Sequence, residues 1–474
     1  MSAQILLQGR ILGVDEFAVA TPADRDNRIF DARLQWAAIL GEVLPRALLA
    51  DLKLPPLMLG SSGGGRFLLI LPDGERAEAA AAFLKRASDA LLAFTNGIVR
   101  IAWSWTENLG DWTVVRKRLR DGARQAAEAV ATAPGFFEPF TPVLPQGGDR
   151  MPRGLRDATA IGFSFDFPAL IALEGGEYRW DLGRQAAVDN ITLTRHAARN
   201  GDAVASAKEL AKRAKGEKLW GILRGGIDDF DTRMRKAQSV EEHVQLSILY
   251  KQFLAGEIEL MCSTGDYFQR VTVLRAENAE FAVFGSWDAL LGFARELQRV
   301  FAAFAGDSLK DLAGGEAKSL TMALTLAEPA EPMARIWEDN ARDLEIAKSS
   351  DKVCLYLLGR VLEWKQMADA AELTEAVVQI AADFRGGQQF LAQLRTLYRK
   401  VETGGLTPAD HERIASRALR FQRRFANVAS RKEREFQKLR AHLMKELAGR
   451  NLRGKLKIRP EGLVALEWAR LATN

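Results

Sequence analysis

Apolar positions along this chain recur at two spacings, and the switches between them mark out the elements. Residues 4–20 begin as an apolar stretch with polar interruptions, and Ile5-Leu6-Leu7-Gln8-Gly9-Arg10-Ile11-Leu12 predicts a first strand. Steps of three and four follow over 31–53, with Leu34, Ala37, Ala38, Leu40, Val43 and Leu44 on one side of a predicted helix. The run Gly60-Ser61-Ser62-Gly63-Gly64-Gly65-Arg66-Phe67-Leu68-Leu69-Ile70-Leu71-Pro72 predicts a glycine-rich turn entering a strand buried on both faces. An alanine-rich helix over 75–94, a strand over Ile98–Trp105 and a helix over 111–132 complete the segment. The order β-α-β-β-α-β is that of a ferredoxin-type palm.

The same order returns further on. Pro134, Pro139, Pro142, Pro145 and Pro152, with several glycines, make 133–156 a linker. Residues 159–183 predict a small β element with an aromatic side (Phe163, Phe165, Phe167, Tyr178, Trp180), and 202–216 is charged and lysine-rich. A second αβ unit opens at Lys218-Leu219-Trp220-Gly221-Ile222-Leu223-Arg224. It continues with a helix over 239–256, then two apolar strands flanking the polar turn Glu277-Asn278-Ala279-Glu280. A helix over 288–305, a strand over Leu320–Leu326, a helix over 331–348 and a strand over Val353–Leu358 follow. From Asp369 onward the pattern is helical, with Phe421, Phe425, Val428, Phe436, Leu439, Leu443 and Leu447 at helical steps. The expected fold is α+β, with two ferredoxin-like palm domains, a small β linker element and a C-terminal helical domain. The expected boundaries are 1–132, 133–217, 218–368 and 369–474.

Composition sharpens this in three respects. At 474 residues and 47% hydrophobic, the chain is long enough for about three domains with sizeable cores. No apolar run reaches about 18 residues, and the opening Met-Ser-Ala-Gln-Ile-Leu-Leu-Gln-Gly-Arg lacks the pattern of a secretory signal, so a cytoplasmic protein with no membrane contact is expected. Two cysteines, Cys262 and Cys354, and four histidines, in no metal-binding spacing, are too few for a zinc cluster of neighbouring ligands. Charge is uneven. Residues 411–460 hold 16 Lys and Arg against 4 Asp and Glu, a balance of +12, which leaves −7 on the rest of a chain whose net charge is +5. Such a tail predicts contact with a polyanion or with an acidic subunit, and Arg423, Arg424, Arg431, Lys432, Arg434 and Lys438 are its candidate contacts.

Five motifs in order give the chain a family likeness. They are Gly63-Gly64-Gly65-Arg66-Phe67-Leu68-Leu69-Ile70-Leu71-Pro72, Leu223-Arg224-Gly225-Gly226-Ile227-Asp228, Phe284-Gly285-Ser286-Trp287-Asp288, Ala347-Lys348 and Phe390-Leu391-Ala392-Gln393-Leu394-Arg395-Thr396-Leu397-Tyr398. Together they resemble the large subunit of type III CRISPR effector complexes, the palm-bearing "CRISPR polymerase" family, over roughly residues 5–430. The resemblance implies two palms, guide RNA and target RNA as partners, and tag-binding, small and backbone subunits as neighbours. It also implies a place at the end of the complex that carries the 5′ tag of the guide RNA, in antiviral defence.

The departures from that family are specific. Counting back from Gly285-Ser286-Trp287-Asp288 puts Glu277-Asn278-Ala279-Glu280 on the family's Gly-Gly-Asp-Asp turn, and Gly226 on the first aspartate of the partner strand. Asp228 remains. Two-metal phosphoryl transfer needs several carboxylates converging on two ions about 4 Å apart. Asp228 and Glu280 suffice for one weakly held magnesium and are too few for two. No His-Asp dipeptide of the family's nuclease occurs, and the zinc cysteines between the palms are missing. The expectation is therefore a structural, RNA-binding subunit that is not an enzyme, with no cofactor beyond weak magnesium or ATP. Two other readings stand beside it: a divergent cyclase making cyclic oligoadenylates with Asp228, Glu277, Glu280 and Lys348, and a vestigial ATP-binding palm.

Overall fold

A computed structural model describes residues 4–20, 27–131, 151–152, 154–183, 190–277, 279–312, 319–350, 353–383 and 460–473. Among them, the first unit runs β1 (Ile5–Leu12), α1 (Val14–Val19), α2 (Arg28–Asp51), β2 (Leu59–Gly63), β3 (Arg66–Leu71), α3 (Gly74–Phe94), β4 (Arg100–Glu107) and α4 (Trp112–Ala131). Its strands assemble in the order β2-β3-β1-β4, all neighbours antiparallel, which is the ferredoxin-like arrangement. The glycine run makes a hairpin rather than a simple turn into one strand. Gly63 pairs with Arg66, and Gly64 and Gly65 between them have φ of 57° and 68°. Positive φ at both central residues is what a tight two-residue hairpin requires, and glycine meets it without strain. The expected continuation of the first strand toward residue 20 is instead a turn at Gly13 into the short helix α1.

A small sheet of β5 (Ala160–Phe163), β6 (Ile171–Ala172), β7 (Tyr178–Leu182) and β8 (Asn190–Ile191) packs on this unit. Phe163 stacks on Phe83 of α3 with ring centroids 5.8 Å apart, and the Trp36 indole N–H donates to the Ala169 carbonyl at 3.0 Å. The pair β9 (Arg199–Asn200) and β10 (Ala203–Val204) leads into α5 (Ala207–Lys212), where Ser206 and Glu209 form a capping box.

The second unit comprises β11 (Trp220–Ile227), α6 (Phe230–Lys236), α7 (Val240–Gln252), α8 (Ile258–Cys262), β12 (Val271–Glu277), β13 (Glu280–Ser286), α9 (Trp287–Ser308), β14 (Leu320–Ala327), α10 (Met333–Ser349), β15 (Cys354–Leu357) and β16 (Arg360–Glu363). Its sheet is ordered β12-β13-β11-β14-β15-β16, the same central arrangement extended by one hairpin. β11 is buried along its whole length, as its near-continuous apolar run requires. The helices α11 (Trp364–Asp383) and α12 (Pro460–Thr473) lie together beside this unit, and the Thr374 hydroxyl reaches the Ala465 carbonyl at 3.3 Å.

One helix joins the two palms. The middle and end of α2, from Trp36 to Leu49, fill the core of the first unit, while Phe30 and Leu34 at its start pack with Trp220, Ile222, Phe284 and Trp337 of the second. The Gln35 amide donates to the Leu274 carbonyl at 3.2 Å. Arg156 forms a buried ion pair with Asp31 of α2 and also donates to the carbonyls of Arg195 and Val273. A fully buried guanidinium needs this many acceptors, so Arg156 fixes three segments at once.

Candidate functional site

Between the palms lies a cavity of about 1530 Å³. One wall is the glycine hairpin and the Arg10–Arg66 pair of the first palm; the other is the end of β11, the β12–β13 hairpin and the end of α10. The cavity brings together Asp228, Glu277, Glu280 and Lys348, which lie up to 120 residues apart in sequence. Asn278 lies outside the described residues, as do Arg423, Arg424, Arg431, Lys432, Arg434 and Lys438.

The three carboxylates point to different partners. Asp228 follows β11 and is buried, with its oxygens accepting from the hydroxyls of Thr321 at 2.6 Å and Ser319 at 2.7 Å. Burial raises its pKa, and the two hydroxyl donors offset only part of that. Glu277 ends β12 and turns to the first palm, where it accepts from the Gly64 amide at 2.5 Å. Burial, and then the nearby Glu42, push its carboxyl above the usual range. Glu280 begins β13 and faces the cavity, with Arg275 Nη2 at 3.2 Å and Lys348 Nζ at 3.6 Å. Desolvation alone would raise the Glu280 pKa, but the charges of Arg275, Lys348, Arg224 and Arg66 outweigh it and hold the carboxyl low.

Several residues of the site carried no motif. Arg275 also reaches Asp15 of α1 at 3.3 Å, and Arg224 reaches the same aspartate at 3.5 Å. Arg224 lies over the Trp337 ring at 3.9 Å, and burial together with Arg275 lowers its pKa to about 10. The signal for both was an arginine inside an otherwise apolar strand, which needs an acidic or aromatic partner. The direction of Arg275 depends on a bulge between Val273 and Arg275, where the register with β13 shifts. On the first palm, Arg10 and Arg66 stand directly opposite each other on β1 and β3. Desolvation, and then Arg66, lower the Arg10 pKa.

The family's two divalent cations do not fit these residues. Both Asp228 oxygens hold hydroxyl donors, Glu280 is matched by two basic side chains, and Glu277 is committed to Gly64. Gly226 pairs with Glu280, and a Cβ there would meet the Ala279 carbonyl at 3.1 Å, so even a restored aspartate would require the hairpin to shift. Among the described residues, no three His, Cys, Asp or Glu side chains form a metal-holding group. Nor is any of their helices long and apolar enough to cross a membrane.

The fold and the cleft define a mixed α+β protein with paired palms. No protein-family model and no curated protein matches the sequence. The solved structures that match are of Csm1. A Csm1–Csm4 cassette in complex with pppApA aligns with a TM-score of 0.75 at 16% identity, covering 100% of this chain and 70% of that one. The cassette with cA4 gives 0.73 at 15%, and the Csm1–Csm4 subcomplex of the type III-A CRISPR-Csm interference complex gives 0.71 at 14%, both with the same coverage. These likenesses show the Csm1 palm fold. They also correct the expectation that the chain is not an enzyme. That expectation rested on the missing carboxylates alone, whereas the fold is a cyclase-type palm pair, also solved as the Csm1–Csm4 cassette with one ATP and with cA3.

Proposed function

We propose that this chain is the palm-bearing large subunit of a type III CRISPR ribonucleoprotein and that the cleft between its palms binds ATP. The observation that carries the nucleotide reading is the cleft itself. It is large enough for a nucleoside triphosphate, and a glycine turn admits close backbone approach beside Arg10, Arg66, Arg275 and Lys348. Asp228 and Glu280 border the same space, and no transfer step is derived through a metal these residues do not fit. The assembly reading is supported by the full-length match to Csm1 in a type III-A subcomplex. In it, the chain docks a Csm4-like subunit beside the 5′ tag of the guide RNA, and the basic 411–460 segment contacts RNA or the small subunits.

Two measurements test this. Affinity purification of the tagged chain from its host should recover backbone subunits and a guide RNA; recovery of the chain alone would sink the assembly reading. Calorimetric titration of the assembled complex with ATP should show saturable binding, and a flat titration would sink the nucleotide reading. The same complex, given ATP, manganese and matching target RNA, is assayed for oligoadenylate. Product that disappears in Asp228→Ala would assign turnover to this cleft.

A further inference from the structure

The basic groups of the cleft and its acidic groups are arranged in a way that bears on which form of nucleotide it takes. In a palm that works through divalent cations, the hairpin carboxylates are free to ligate and the cations supply the positive charge. Here the positive charge is built into the chain. Glu280 sits between Arg275 and Lys348 at 3.2 and 3.6 Å, so its charge is already matched. Asp15 is likewise matched by Arg275 and Arg224. Asp228 is held by two hydroxyls.

Across the cleft the balance is reversed. Arg10 and Arg66 occupy opposed positions on neighbouring antiparallel strands, where like charges repel. Among the described residues neither guanidinium has an ion pair or side-chain hydrogen bond. Such a pair is tolerated where an anion bridges it, and two planar guanidiniums side by side match the oxygens of a phosphate chain. Gly64 and Gly65 adjoin them in the same wall, with no side chain to block the approach.

We propose that this cleft takes its nucleotide as the metal-free polyphosphate, with Arg10 and Arg66 receiving the phosphates and Arg275 and Lys348 standing in the charge role of the missing cations. The inference rests on the nucleotide reading above and specifies its ligand. A metal-free triphosphate carries more negative charge than its magnesium complex. A cleft whose carboxylates are already neutralised and whose arginines are not favours the more negative species. Magnesium then competes for the nucleotide instead of assisting it.

The test is a pair of calorimetric titrations of the purified complex with ATP, one in EDTA and one in excess magnesium. ATP in EDTA is expected to bind about tenfold more tightly, the equivalent of about 1.4 kcal/mol. Inorganic tripolyphosphate should compete in EDTA, because the arginines read phosphate and not base. Arg66→Ala should weaken binding in EDTA about tenfold or more, and Arg66→Lys should restore part of it. Arg10→Ala, checked by an unchanged melting temperature, gives the same reading should Arg66→Ala fold poorly. Binding that requires magnesium, or that survives both arginine variants, would overturn this inference while leaving the nucleotide reading in place. Absence of binding in both media would overturn both.

Discussion

Glu42 is buried in α2 with Lys251 Nζ at 2.7 Å and Arg46 Nη1 and the Ser62 hydroxyl at 2.8 Å. Its desolvation works against ionisation, yet the two cations and the hydroxyl win and lower its pKa to about 2. A carboxyl depressed in the folded state stabilises fully above its unfolded pKa of 4.5 and loses that contribution as pH falls toward about 2. The contribution is on the order of 3 kcal/mol, and Glu42→Gln should remove it. Urea unfolding at pH 7 and at pH 3 checks this: the variant should lose stability at pH 7 and lie closer to the parent at pH 3. Asp228 has the opposite sign. Burial raises its folded pKa, so its ionised form costs stability at neutral pH, and that cost fades as pH falls through the folded value. Asp228→Asn keeps an acceptor for Ser319 or Thr321 and should leave the neutral-pH melting temperature unchanged or higher. Asp228→Ala orphans both hydroxyls and should cost about 1–3 kcal/mol.

Among elements, the β2–β3 hairpin and the β12–β13 hairpin meet through one hydrogen bond, from the Gly64 amide to Glu277. The position that resemblance aligns with a metal-site glycine is thus a bridge between palms in this chain. The glycine turn is also the tightest backbone requirement nearby. Gly65 has φ of 68°, and an added Cβ would sit 3.4 Å from Ile11 Cβ, so space is adequate and the left-handed backbone sets the cost. Gly65→Ala should destabilise by about 1–2 kcal/mol, read as a fall in melting temperature. Helices and strands of both palms were legible because their apolar periods are long and regular; predicted and observed ranges differ by a few residues at most of their ends. The hairpin partner β2 was not. Its sequence, Leu59-Gly60-Ser61-Ser62-Gly63, has neither alternation nor β-branched residues, and pairing with β3 is what makes it a strand.

At the scale of the whole molecule, the palms are held by α2 and by Arg156, whose guanidinium reaches Asp31 and the carbonyls of Arg195 and Val273. Arg156→Ala would leave Asp31 buried without its cation and should cost about 3–5 kcal/mol. Denaturant unfolding should broaden or split as the two palms come apart at different concentrations; a single sharp transition at the parental midpoint would show that α2 alone suffices. The enzyme question also belongs to this scale. Reading the turn Glu277–Glu280 residue by residue predicted loss of activity, while the complete fold is a cyclase-type palm pair solved in Csm1–Csm4 cassettes with ATP and oligoadenylates. The architecture is set by hundreds of buried apolar contacts and outlasts changes in a few polar residues.

The sequence by itself determined the α+β class, the repeated β-α-β-β-α-β order and the presence of Asp228, Glu277, Glu280 and Lys348 near the second palm. Those properties follow from local periodicity and from residue identity, and neither needs a fold to be read. Tertiary structure decided the rest. Whether a carboxylate is free depends on what packs against it, and only the folded chain sets Arg275 and Lys348 on Glu280, two hydroxyls on Asp228 and the Gly64 amide on Glu277. Only strand register puts Arg10 opposite Arg66, and only the approach of two palms around α2 opens a cavity between them. Charges far apart in sequence become one electrostatic site only when folding brings them within a few ångströms and removes the water that screened them.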